Sequence, residues 1–535
     1  MSHDQRGSAF GRRQFIKASS ALAGASALGL APLAARAQTP KRGGELRFAT
    51  RTDGARLDTH RQFVYWTSNA LAATTYGLLD IDQQLNVKPG VAESWEANKT
   101  LDVYTFKIRR GMEYHNGRSI DAESVKWNFE RIMDPKIGAA FTRSATVEIK
   151  EIKVLDKETV QFVLKGPSAV FPSNMVYYPC NLMAPDSENP DTNPIGCGPF
   201  KYKSWKRFDT TVMERFENWW ETDAQGNQLP YIDTLVGLPR KEDAVRLTTL
   251  RAGESQLIDN MAFTDAAEFP EKYGEEFNYW DVPHIGTAWI GFNMKNGVFS
   301  YDNPDALLVR QAAAHAIDHQ AIHEAVFNER GAIAKGFYSE KSPWYSAEAS
   351  SWPEYDPDKS RALLKKAKAE GARIQVVSRQ AYAYMQQTGE LVHAMLSEVG
   401  FNASYEVQPN AMLIQRYKKN DHSVDSTASS YRLDPDSWFT RIVHSNGSEN
   451  KLRIGYKNPE ADKLIDQARA EPEQARRLEL YTEVENIVNR DVPFIYSHYV
   501  SMLEAGVKTL KGYQPSFAGP FSYQGGGIRT AWFDT

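Results

Sequence analysis

The sequence has little cysteine. Cys180 and Cys197 are the only two in 535 residues, so at most one disulfide can form. Whether they pair is a matter of geometry, which the sequence leaves open. There is no basic surplus either: 63 Lys and Arg against 67 Asp and Glu leave a net charge of −4. That balance offers no footprint for nucleic acid, and no nucleic-acid partner is expected. Beyond residue 33 no run is apolar enough to span a membrane. The motifs that carry common enzyme chemistry are missing as well: G-x-S-x-G, G-x-x-x-x-G-K, H-E-x-x-H and C-x-x-C. Gly196-Cys197-Gly198-Pro199 is a lone G-x-G without a third glycine, which makes a poor phosphate loop. Repeats and low-complexity tracts are absent too.

What is present begins at the N-terminus. Arg12, Arg13 and Lys17 precede a short run, about Ala18 to Leu33, built mostly of Ala, Gly and Ser. Ala35-Arg36-Ala37 follows, with small residues where a signal peptidase reads. Charged start, short apolar stretch and A-x-A site describe an export signal over residues 1–37. Arg12-Arg13-Gln14-Phe15-Ile16-Lys17 resembles the twin-arginine motif. Cleavage leaves Gln38 first, with no cysteine there for a lipid anchor, so a periplasmic protein is expected. About 500 residues remain, too many for one core, and two or three domains are expected.

Twelve Trp, 25 Tyr and 25 Phe supply cores and suit the walls of a ligand cleft. Helix and strand patterns alternate throughout. Tyr104, Phe106 and Ile108 share one face of a strand, as do Val160, Phe162 and Leu164. Asp121 caps a helix whose stripe is Val125, Phe129, Ile132 and Met133. Asp356-Pro357 opens another. Leu391, Met395 and Val399 lie on one that Gly400 closes, and Leu478, Tyr481, Val484, Ile487 and Val488 stripe a last. Gly525-Gly526-Gly527 reads as a surface tail. His315, His319 and His323 stand at i, i+4 and i+8. On a continuous helix they share a face, and two could hold a divalent metal in a secreted hydrolase. Against this, no Cys or firmly placed third ligand accompanies them, so no metal and no cofactor is expected.

Six segments, in order, resemble the family 5 extracellular solute-binding proteins, the dipeptide- and oligopeptide-binding type. They are Pro89-Gly90-Val91-Ala92-Glu93-Ser94-Trp95 with Tyr104 to Gly111; Tyr114-His115-Asn116-Gly117; Asn193 to Phe200; Val309-Arg310-Gln311-Ala312 to Asp318; Tyr355-Asp356-Pro357-Asp358-Lys359; and Arg476 to Tyr481 with Asp491-Val492-Pro493. The resemblance implies an α/β, two-lobed periplasmic binding protein fold (class II-like) with an extra domain and a two-strand hinge. Lobe I then combines 42–80, 195–290 and 505–535, the extra domain is 81–194, and lobe II is 291–504. It implies no enzyme but a monomer that takes a small-molecule or short-peptide ligand and serves an ABC permease and its ATPase subunits.

The resemblance also bears on the site. Arg379 stands where dipeptide-type members keep an arginine for the peptide carboxylate. Tyr431 stands where they keep the aspartate that pairs with the peptide ammonium. Arg432 adds positive charge beside it, and Asp434 is the nearest carboxylate able to substitute. Phe63, Tyr65, Trp66 and Tyr382 are expected as aromatic walls. This pattern favours an anionic or neutral organic ligand over an ordinary peptide.

Overall fold

A computed structural model describes residues 39–534, apart from 52, 55, 62–68, 138–141, 144, 352, 381 and 518–520. The export signal expected over 1–37, and Phe63, Tyr65 and Trp66, lie outside the described residues.

The main sheet draws on eleven strands: β1 (Glu45–Thr50), β2 (Phe200–Lys206), β3 (Thr210–Arg215), β4 (Thr234–Pro239), β5 (Leu257–Ile258), β6 (Phe277–Phe292), β7 (Ala332–Ile333), β8 (Arg373–Arg379), β9 (Asn402–Gln408), β10 (Val424–Ser430) and β11 (Phe494–Val507). Their order is β9-β8-β10-β6-β11-β5-β1-β4-β3-β2, with β7 on β11. Two long strands belong to both halves of this order. The first part of β6 pairs with the end of β11 (Phe277 with Val507), beside β5. The second part of β6 pairs with β10 (Gly286 with Ser430) and with the start of β11. The register slips between Val282 and Gly286, where His284 adopts φ 57°. A bulge increases local twist, so the strands change direction where they pass from one half to the other.

The alternating strands near the N-terminus form a separate four-stranded antiparallel sheet, Ala92–Ala97, Val103–Ile108, Thr159–Leu164 and Ile149–Asp156 in spatial order. Helix α1 (Ala122–Met133) covers it. Asp121 accepts the Ser124 amide at 2.8 Å, and the Ser124 hydroxyl accepts the Asp121 amide at 3.1 Å, closing a capping box. Val125, Phe129 and Ile132 point into a core with Phe106, Phe162 and Phe171. Cys180 and Cys197 are buried in that core as free thiols, and burial pushes both up to about 12. They pack as small hydrophobes. The lone G-x-G has a packing role: a Cβ on Gly198 would stand 2.6 Å from the Ala73 carbonyl oxygen, where the chain closes on residues 73–75.

One expectation changes in the tertiary structure. The glycines at 525–527 do not form a surface tail. Ser522–Tyr523 pairs with Gly526–Gly527, both glycines are buried, and Arg529 behind them is enclosed between Asp80 and Glu221 at 2.7 and 3.0 Å. On the helix before Gly400, Val392 and Leu396 are fully buried while Leu391 and Met395 are only partly so. Leu391 and Met395 pack against the same core as Val399, which is buried, and the Met395 sulfur accepts the Asp318 amide.

The strand that crosses between halves also carries a buried acid. Glu504 in β11 accepts the Tyr513 hydroxyl at 2.7 Å, and burial pushes its carboxyl up to about 8. Its folded value stands above the unfolded one near 4.5. Its contribution to stability is therefore complete below the unfolded value and is lost as pH rises through about 8. The denaturation midpoint should accordingly fall as pH is raised across this window, and Glu504→Gln should flatten the fall. An unchanged slope in that variant would assign the dependence to other groups.

Candidate functional site

Arg379 is the last residue of β8. The parallel register pairs Val377 with Asp425 and Ser378 with Ser426, so Arg379 is level with Thr427. Beyond it, Tyr382 precedes helix α2 (Ala383–Glu398) and lies 5.5 Å from Tyr384, ring to ring. The Arg51 guanidinium, just after β1, sits 4.4 Å above the Tyr382 ring. Tyr382 therefore bridges the two halves of the sheet by a cation–π contact. Burial raises its hydroxyl, Asp259 adds to this, and Arg51 and Arg379 oppose it. Asp259 accepts the Thr50 hydroxyl at 2.9 Å and the Arg51 amide at 3.2 Å. The carboxyl ends of β1 and β8 thus face one another across a polar seam.

The second part of the site was not legible in sequence. Two short wide helical turns, Phe439–Val443 and Asn450–Ile454, close with i→i+5 bonds, His444 amide to Phe439 carbonyl at 2.8 Å and Gly455 amide to Asn450 carbonyl at 2.7 Å. Turns of this kind are frequent at functional sites. They deliver Arg441 and Arg453. Arg453 donates to Asp425 from Nε at 2.8 Å and to Glu449 at 3.1 Å, and Arg441 pairs with Glu449. Burial alone would raise the Glu449 carboxyl; Arg441, Arg453, Arg432 and Arg379 outweigh it and hold it at about 2. Burial, with repulsion from Arg432 and Arg453, holds the Arg441 guanidinium below its usual range. Tyr177, from the segment that carries the four-stranded sheet, is within electrostatic reach of Arg441 and of Tyr431. Three parts of the chain therefore meet at a cluster rich in arginine.

Arg432 is 9% exposed. Its Nε, like that of Arg379, is enclosed and makes no hydrogen bond among the described residues. Tyr431 and Asp434, expected as ligand contacts, are already committed inside the protein. The Tyr431 hydroxyl is 2.9 Å from the Ser342 hydroxyl, and its ring meets His284, Tyr338 and Phe517 edge-on. Asp434 holds Arg477 through both oxygens, at 2.7 and 2.5 Å, and Oδ1 also accepts the Asp436 amide at 2.9 Å. Its charge is matched, so the substitute carboxylate foreseen for an ammonium is a brace for the loop after β10. Arg432 and Arg379 make no ion pair among the described residues.

The histidine row does not share one helix. His315 ends the helix Ala306–Ala316, and a new helix, His319–Phe327, starts after Asp318 caps it by accepting the Ala321 amide at 2.9 Å. The chain direction changes between them. The His315 Nδ1 bonds to the Glu354 carbonyl at 2.8 Å, while His323 bonds to His498 of β11 at 2.9 Å. No group of three ligating side chains among the described residues is placed to hold a metal ion. His315→Ala combined with His319→Ala should leave ligand affinity within about twofold of wild type. A stoichiometric metal in the purified protein, lost in that pair of changes, would contradict this.

The sequence matches the model for bacterial extracellular solute-binding proteins, family 5, over residues 86–450. It is 27% identical to the dipeptide-binding protein of Escherichia coli K12 over 462 residues, 80% of this chain and 83% of that protein. It is 26% identical to heme-binding protein A of Haemophilus influenzae, over 88% of this chain and 87% of that one. Among solved structures, the periplasmic binding protein AgaA of A. tumefaciens R10, in complex with agropinic acid, superposes with a TM-score of 0.78 at 23% identity, over 92% of this chain and 99% of that one. DppA of Helicobacter pylori, in complex with the peptide STSA, does so with a TM-score of 0.79 at 21% identity and the same coverage. The fold is the two-lobed one of these binding proteins.

Proposed function

Because the chain belongs to the family 5 bacterial extracellular solute-binding proteins, we propose that it captures a small organic ligand, peptide-like or anionic, in the cleft at Arg379 and Arg432. It hands that ligand to an ABC-type permease of the inner membrane, driven by ATPase subunits. The reading is of a periplasmic binding protein rather than an enzyme, acting as a monomer. Relatives named for dipeptide and heme binding, and a neighbour holding agropinic acid, support ligand carriage and leave the ligand class to this chain's own residues.

The observation that carries the reading is the arginine excess at the cleft, where Arg379 and Arg432 have no ion-pair partner and an unpartnered Nε among the described residues. A peptide ammonium buried there would lack a partner. An anionic group would find two. Lobe I is proposed to combine 42–80, 195–290 and 505–535, lobe II to be 291–504, and 81–194 to form the extra domain. β6 and β11 serve as the hinge, and closure gives the permease a liganded shape to recognise. A backbone bond from the Ala169 amide to the Arg469 carbonyl, at 2.8 Å, joins the extra domain to lobe II and supports a closing seam there.

The direct experiment is native mass spectrometry of protein purified from the periplasm without refolding. An anionic small molecule should be seen bound. Alanyl-alanine should give little thermal shift; tight binding of it would overturn the anionic preference. Export is expected to require Arg12 and Arg13 and to leave Gln38 as the first residue. With both arginines changed to lysine, the periplasmic fraction should fall severalfold. Undiminished export would remove the twin-arginine route and leave a general secretory signal.

A further inference from the structure

Charge matching inside the cleft goes one step further, and it rests on the reading of that cleft as the ligand site. Arg453 is matched by Asp425, and Arg441 by Glu449. Arg379 and Arg432 lie within electrostatic reach of Glu449 as well, but that single carboxylate is already shared by Arg441 and Arg453. Among the described residues, four guanidiniums against two carboxylates leave Arg379 and Arg432 without an ion-pair partner in a partly dehydrated place. Unmatched charges there are costly, and a ligand that neutralises them is favoured.

We propose that the ligand is a dianion whose two anionic groups are engaged separately, one by Arg379 and the other by Arg432. The register separates these anchors. Arg379 is level with Thr427, and Arg432 follows five residues later along the chain that continues β10. At about 3.3 Å per residue and about 4.8 Å between strands the two backbone positions are at most roughly 21 Å apart, and two long side chains shorten the gap. One anionic group on each arginine neutralises both charges, which a monoanion does not. The Nε atoms of Arg379 and Arg432 have no protein acceptor among the described residues, so neither fork is already held at that nitrogen, and a guanidinium fork suits a carboxylate. A zwitterionic peptide fits worse, because its ammonium adds positive charge to a site that already has too much.

The test uses linear α,ω-dicarboxylates from succinate to sebacate, each beside its own monoamide, in calorimetric titrations of the full mature protein. At least one dicarboxylate should bind tenfold or more tightly than its monoamide. Arg432→Gln should erase that advantage, and Arg432→Lys should restore part of it. Circular dichroism and the denaturation midpoint of both variants should match wild type. Equal binding of diacids and monoamides, both weakened by Arg379→Gln, would sink the second anchor yet leave the anionic cleft standing. Binding indifferent to Arg379→Gln would sink the cleft reading itself. A series in which no diacid binds would overturn the dianion.

Discussion

Arg379→Ala is expected to weaken binding of the ligand that co-purifies with the protein by thirtyfold or more. Arg379 stands at the carboxyl end of β8, partly buried, with an enclosed Nε and no ion-pair partner among the described residues. An anion bound there exchanges water for a charge-assisted bond inside the protein. Removing one member of such a pair typically costs about 2–5 kcal/mol, which is roughly thirtyfold to several-thousandfold in affinity. The loss should appear in the dissociation rate, since the charge acts at short range once the lobes have closed. Fold and stability should survive, because no described residue depends on this guanidinium for a hydrogen bond. Calorimetry with the identified ligand reads the affinity, and stopped-flow fluorescence of the cleft aromatics reads the rate. Normal affinity in the variant would place the anion anchor elsewhere.

The second large effect concerns stability. Arg529 is 2% exposed and reaches Asp80 at 2.7 Å and Glu221 at 3.0 Å, with its guanidinium also over the Tyr76 and Trp219 rings. It ties the C-terminal hairpin to two distant parts of the chain. Arg529→Met keeps much of the volume and leaves two buried carboxylates without their cation. Breaking a buried pair in this way costs about 3–5 kcal/mol. The denaturant midpoint should drop accordingly, and limited proteolysis should begin near residues 522–529. Replacing all three groups by apolar residues of similar size should recover much of the loss, because no charge is then stranded. A midpoint within about 0.5 kcal/mol of wild type for Arg529→Met would show that the pair is solvated when the protein breathes.

Local elements were readable because their causes are local. The Asp121 cap, the Val125-Phe129-Ile132 stripe, the alternating strand at 103–108 and the Asp356-Pro357 helix start depend on neighbours within four residues. Ordered short motifs were enough for the family, and with it the two-lobed fold. The histidine row fails to share a face for an equally physical reason. Spacing at i, i+4 and i+8 means one face only if the helix continues, and Asp318 starts a new one. The glycines near the C-terminus misled because composition cannot reveal that a buried arginine behind them holds two acids.

By itself, then, the sequence determined the secondary-structure alternation, the family and the one arginine that stands at the end of β8. The tertiary structure alone decided what the other charges do. Tyr431 and Asp434 have partners 89 and 43 residues away, Ser342 and Arg477. Arg441 and Arg453 reach the site through two wide helical turns that no periodicity marks. Whether a charged side chain is spent inside the protein or left for a ligand depends on which groups the chain folds against it. Those groups are distant in sequence, and the cost of an unmatched buried charge is set only when they meet.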